Sequence, residues 1–136
     1  MKLVYKDAIK LLIESFDEME KLFNQNAHAD DYDFSSYGFY EGKFTPYILS
    51  QLKQSNESKL NLIFGFVERL LKNGDRELVN MVGVSVVESL YFDKACEIHK
   101  EALLKHCGKN TRQSFLDTME EFDPDLKAEW ENSLAA

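Results

Sequence analysis

The chain has 136 residues, 44% of them hydrophobic and 29% charged, with only 6 Gly and 2 Pro. Length and apolar content of this order describe one folded domain with a real core and exclude a disordered or collagen-like chain. With Lys+Arg 16 against Asp+Glu 24, a formal net charge of −8, nucleic acid and an anionic membrane are poor principal ligands, since both demand a cationic face; charge of this sign points to a basic partner.

Residues 2–23 place Val4 or Tyr5, Ala8, Ile9, Leu12, Ile13, Phe16, Met19, Leu22 and Phe23 three and four apart, the period of one long amphipathic helix. No apolar run reaches the ~20 residues that span a bilayer, and Lys2, Lys6 and Asp7 precede any signal-peptide core, so a cytoplasmic protein is expected. Between 24 and 44 the period vanishes and Asn, Asp, Ser and Gly accumulate, which predicts an irregular connection. Thr45-Pro46 then reads as an N-cap and first helical residue for a helix over 46–54.

Ser55 or Asn56 caps the next helix, which carries Leu60, Ile63, Phe64, Val67, Leu70 and Leu71 on one side as far as Lys72. Asn73-Gly74 predicts a left-handed stop and Asp75 an N-cap, so that 76–91 returns as the second arm of an antiparallel hairpin. That arm is apolar nearly all round, through Val79, Met81, Val82, Val84, Val86, Val87, Leu90 and Tyr91, as a central helix requires. Gly65 and Gly83 lie nine residues before and after Gly74. Either they face each other and let the two backbones approach, or they are two unrelated tolerated glycines. Further on, 95–107 repeats the helical period through Cys96, His99, Leu103 and His106. Asn110 to Gln113 has capping-box spacing before Phe115, Leu116, Met119 and Phe122, and Asp123-Pro124 opens a last helix through Leu126, Trp130 and Leu134. The expected fold is all-α: a single domain of about seven antiparallel helices, either an irregular bundle or a short HEAT-like solenoid.

Chemistry-bearing motifs are sparse. Cys96, His99, His106 and Cys107 are all metal-ligand types, but on one continuous helix Cys96 and His106 stand about 15 Å apart, too far for one tetrahedral ion. Two cysteines are also too few for a disulfide scaffold. Asp31-x-Asp33-x-Ser35 opens like a calcium loop, yet Ser36 stands where the turn needs Gly, and Gly42 where a bidentate Glu is required. No nucleophile elbow or phosphate-binding loop is present, so neither metal, cofactor nor enzymatic activity is expected.

Two features remain. Residues 32–47 hold Tyr32, Phe34, Tyr37, Phe39, Tyr40, Phe44 and Tyr47, seven of the 17 aromatics, which is either a small core under a loop or a recognition surface. Acidity concentrates in 26–45, one cation against four acids, and in 109–136, three against seven. Its clusters are Asp30, Asp31 and Asp33, and Glu120, Glu121, Asp123 and Asp125. Such runs are either solvated faces or the complement of a basic surface. The partner-binding candidates are therefore Asp30, Asp31, Asp33, Tyr37, Tyr40, Glu120, Glu121, Asp123 and Asp125.

In the hairpin, Phe64-x-Phe66-Val67-Glu68-x-Leu70-Leu71-x-Asn73-Gly74-Asp75-x-Glu77, leading into Val84-Ser85-Val86-Val87-Glu88-Ser89-Leu90, resembles a family of small all-helical bacterial proteins similar to immunity proteins of interbacterial toxin systems, including contact-dependent growth inhibition. The resemblance covers about residues 56–108, departs at Val87 where the pattern prefers Leu, and rests on packing and turn residues, so it carries over no catalytic residue. It implies an immunity protein that binds and neutralises a cognate basic, nuclease-type toxin domain. A helical-repeat scaffold or adaptor for a protein or peptide is the alternative.

Overall fold

A computed structural model of the chain describes residues 2–26 and 35–136. The expectations for Asp30, Asp31, Asp33, Tyr32 and Phe34 fall outside them. Every regular element among the described residues is helical, and the only β-type pairing there is an isolated parallel bridge between Leu3 and Gly74.

The N-terminal segment is not one helix. A 3-10 turn at Tyr5–Asp7 leads into α1 (Ala8–Ser15), and Phe16, extended at φ −137° and ψ 115°, separates it from α2 (Asp17–Asn26). The break turns Phe16 into the core, 4% exposed, against Phe44 and Phe66 at ring-centroid distances of 5.7 and 5.4 Å. Burial of a large aromatic outweighs the few hydrogen bonds that a continuous helix would keep.

Residues 35–44, expected to be irregular, are helical from Ser36 onward. α3 spans 36–53 as an α-turn (Ser36–Phe39), a π-turn (Tyr40–Phe44) and an α-helix (Thr45–Lys53). Ser35 caps it by accepting from the Gly38 amide at 3.0 Å. Thr45-Pro46 is therefore interior, not a start. Pro46 has no N–H and its ring would press on the carbonyl four residues back; the π-turn, in which the Thr45 amide reaches the Tyr40 carbonyl, widens the helix at that point. The Thr45 hydroxyl then donates to the Ser85 carbonyl at 2.7 Å in the core.

α4 (Glu57–Asn73) is capped by Asn56, and Asp75 caps α5, which runs over 76–92 with a π-segment at Gly83–Glu88. Gly74 is not left-handed: its φ is −75° and its ψ 152°. Glycine is required there for room, because a Cβ would lie 2.4 Å from the Leu70 carbonyl oxygen and 3.1 Å from the Leu78 side chain. The N-terminus locks this turn. The Leu3 amide donates to the Asn73 carbonyl at 2.8 Å, and the Asp75 amide to the Leu3 carbonyl at 2.7 Å.

Gly65 and Gly83 do not pack against each other: a Cβ on either would meet nothing within 4 Å. Gly65 opens to solvent beside Leu62 and Arg69. The interhelix contact is made instead by large side chains, with Ile63, Phe64, Val67 and Leu70 on α4 and Leu78, Met81, Val82, Val86 and Val87 on α5 all buried.

Residues 95–106, read as continuous, form α6 in two pieces, Ala95–Ile98 and Lys100–His106, broken at His99 (φ −116°, ψ 27°). α7 (Lys109–Phe122) packs on α4 and α5, and α8 (Pro124–Ala135) packs on α7. Trp130 of α8 is fully buried, with its indole N–H donating to the Cys96 carbonyl at 3.1 Å. The buried side chains join in one cluster reaching from Ala8 to Trp130, which makes this an irregular bundle around α5 and not a row of repeats each touching only its neighbours.

Candidate functional site

The aromatic segment divides sharply. Phe39, Tyr40 and Phe44 are fully buried. Tyr40, a candidate surface anchor in the sequence, is a core residue whose hydroxyl donates to the Ala8 carbonyl at 2.7 Å, and burial pushes its phenol above the ordinary range. Periodicity through the π-turn, with Phe39, Tyr40 and Phe44 on one side, is what carries it inward. Tyr37 is half-buried against Tyr5 and accepts from the Asn80 amide at 2.8 Å. Tyr47 donates to Glu18 Oε2 at 2.7 Å, where Lys59 Nζ also pairs at 2.9 Å. Burial and the neighbouring carboxylate push the Tyr47 phenol up to about 12. These rings build the fold and leave little surface for a partner.

A second group of rings is built in the opposite sense. Tyr91 and Phe92 close α5, Phe122 closes α7, and their rings meet: Tyr91 and Phe122 stack at 6.0 Å, while Phe92 sets its ring against Tyr91 at 5.2 Å and Phe122 at 5.1 Å. Phe92 is 58% and Phe122 47% exposed. The helical period of α7 places Phe115 and Met119 in the core, but Phe122, expected to follow them, sits at the helix terminus where the chain turns at Asp123 and no further layer covers it. With Lys94 and Glu97 the three rings line a shallow depression. Ile98, 67% exposed, lies one residue past Glu97.

Two carboxylates stand beside this cluster, Glu97 lining the depression and Asp123 close enough to act on Tyr91. Glu120, Glu121 and Asp125 are exposed, as are Asp93 and Glu97. Tyr91 feels burial first and then the charges of Asp123 and Glu97, which together raise its phenol above the ordinary value. Asp123 also has a structural duty, because its Oδ1 accepts from the Leu126 amide at 3.2 Å and caps α8. Glu120 stands 3.9 Å from Lys127 Nζ, a loose surface pair worth little energetically. Of the four acidic candidates of 120–125, the structure brings Asp123 beside Tyr91, next to aromatic residues that the sequence pattern hid among core positions, while Glu120 turns to Lys127 and Glu121 and Asp125 are simply exposed.

Glu68 is an acidic residue of the opposite kind. Its Oε1 accepts from the Thr111 amide and hydroxyl, both at 2.9 Å, and its Oε2 from the Asn110 amide at 3.1 Å and side chain at 2.7 Å. α4 thereby caps the N-terminus of α7, in place of the capping box expected at Asn110. Burial works against the charge here, but the Asn110 and Thr111 donors outweigh it and hold the Glu68 carboxyl below its ordinary range. Gly108 makes room: a Cβ there would lie 2.5 Å from Glu68 Cδ.

Residues 96–107 offer no comparable centre. Cys96 and Cys107 are free and buried; burial first, and then the charge of Glu97, push the Cys96 thiol up to about 12. His106 Nδ1 lies 2.7 Å from Asn61 Oδ1, and its buried Nε2 lies 2.6 Å from Glu57 Oε2 without the geometry of a hydrogen bond. No group of three or more His, Cys, Asp or Glu among the described residues is placed to hold a metal ion.

The fold and this face define an all-helical domain with an exposed aromatic cluster beside Glu97 and Asp123. The chain belongs to the family described as a domain of unknown function, DUF7674, whose model matches residues 9–122. The match takes in Tyr91, Phe92 and Phe122 and the Glu68 junction, and ends just before Asp123 and α8. No curated protein and no solved structure matches the chain.

Proposed function

We propose that this protein is a binding protein of the immunity type, which docks a basic protein partner, a cognate toxin domain, on the face formed by Tyr91, Phe92 and Phe122 and thereby occludes the partner's cationic surface. The observation that carries this reading is the exposure of two phenylalanines beside the carboxylates of Glu97 and Asp123. Isolated exposed apolar residues are ordinary, but three touching rings with carboxylates beside them have the make-up of an interface centre and its polar border. Carboxylates standing in for substrate phosphates give rapid, electrostatically steered association with a nuclease-type groove. The resemblance of 56–108 to immunity proteins points the same way. No helix among the described residues is long and apolar enough to cross a membrane.

The test is co-purification followed by charge reversal. The protein expressed with a tag in its source cells is expected to retain one stoichiometric basic partner. Glu97→Lys with Glu121→Lys is then expected to slow association and to flatten its dependence on salt, with cells no longer protected from the toxin. A partner that associates at the parental rate with this variant would contradict the reading, and a partner that is acidic would favour a scaffold or adaptor.

A further inference from the structure

The rings and the carboxylates beside them also specify what the partner presents. We propose that the centre of the face receives an arginine side chain, its guanidinium lying against the exposed rings of Phe92 and Phe122 and pairing with the carboxylate of Glu97 or Asp123; the inference rests on the docking face described above.

A guanidinium is planar, weakly hydrated and able to stack on a ring while its edge donates two parallel hydrogen bonds to a carboxylate. An ammonium is a compact, strongly hydrated charge that does neither as well. The face offers both surfaces at once. Tyr91 and Phe122 lie nearly parallel, 26° apart, with Phe92 tilted 65° to Phe122, so flat aromatic surface is presented beside Glu97 and Asp123, whose charges already reach Tyr91. Asp123 spends Oδ1 on the α8 cap, and the described residues give its Oδ2 no partner. Glu97 likewise takes part in none of the ion pairs, which at this end are made by Lys127 with Glu120 and Glu131.

The depression also contains its own control. Lys94 lines it from a left-handed backbone position, φ 66°, yet makes neither a carboxylate pair nor a ring contact among the described residues. A resident ammonium that the face leaves unclaimed is the expected result if the site discriminates for a stacking, bidentate cation. Lys94 then acts only as a like charge opposing the incoming arginine.

The experiment titrates the full chain with blocked tri-arginine and tri-lysine peptides at 0.15 M salt, following aromatic side-chain resonances by NMR. Tri-arginine is expected to shift Tyr91, Phe92 and Phe122 and to bind about two- to five-fold tighter than tri-lysine, the gain of an exposed cation–π contact. Phe92→Ala with Phe122→Ala should erase that preference while leaving far-ultraviolet circular dichroism unchanged, and Lys94→Gly should tighten tri-arginine binding. Equal binding of the two peptides, or a preference that survives loss of both phenylalanines, overturns the arginine assignment and leaves the docking of a basic partner standing on charge alone. The docking reading itself fails by a different result, an unchanged association rate after reversal of Glu97 and Glu121.

Discussion

Two groups of aromatic rings, one inside the bundle and one on its surface, show how differently the same residue types are used. Phe16, Tyr40, Phe44 and Phe66 form a chain of ring contacts at 5.4 to 5.9 Å, three of the four edge to face and Phe16–Phe44 tilted, and are all but absent from the surface. Tyr91, Phe92 and Phe122 touch at similar distances, but Phe92 and Phe122 are exposed and Tyr91 is only half-buried. Ring contact is the same in both; what differs is whether another helix covers it. The carboxylates divide the same way, since Glu68 spends both oxygens on α7 while Glu121 is exposed. Residues that are fully engaged within the fold hold it together, and those left unengaged together are the ones available to a partner.

The largest expected effect tests the core side of that comparison. Phe44→Ala should cost about 3–5 kcal/mol of unfolding free energy, measured by urea denaturation. The paired change of Phe92 and Phe122 to Ala should cost far less, within about 0.5 kcal/mol for each exposed site. Comparable losses at the two places would erase the distinction.

Next in size is the junction of α4 with α7. Glu68→Ala should lose about 1.5–3 kcal/mol through hydrogen bonds to a charged group, whereas Glu121→Ala should be nearly neutral. Gly108→Ala drives a methyl into the pinned carboxylate and should cost about 1–3 kcal/mol in the parent, but almost nothing once Glu68 is Ala; a double-mutant cycle measures the coupling. The sign of the pH dependence follows. Because the folded carboxyl titrates below its ordinary value of 4.5, the junction contributes fully above that pH and its contribution is lost as pH falls through the folded value. Glu68→Gln should flatten this acid limb of the stability curve and leave the neutral plateau lower.

The smallest effect is a gain. Gly65 sits mid-helix in α4 with open space where its Cβ would be, so Gly65→Ala should stabilise by about 1 kcal/mol, the difference in helix propensity. A loss in the thermal midpoint would mean that something packs there after all.

How far the chain could be read from its letters depended on how local each cause was. The caps at Asn56, Asp75 and Asp123 and the buried stripe from Leu60 to Leu70 were legible because each follows from residues within one or two turns. The break at Phe16 and the trans cap by Glu68 were not, because each is decided by a residue distant in sequence that packs against it, and the helix running into Pro46 was not, because Thr45-Pro46 reads equally as a helix start until the π-turn before it is seen. Exposure was the hardest to read. Phe122 continues a perfectly good inward period, and only the turn at Asp123 leaves it uncovered. The same period carries Tyr40 inward from a segment whose composition suggested a loop. Of the candidate site, the acidic run at 120–125 was visible as charge, while its aromatic centre required the ends of α5 and α7 to be brought together.

The central claim, that the face of Tyr91, Phe92 and Phe122 docks a basic partner, is tested most directly by amide hydrogen exchange on the protein with and without that purified partner. Protection is expected at 89–98 and 118–126 in the complex, with 57–73 unchanged. Protection confined to other segments, with those two exchanging as in the free protein, would contradict the account.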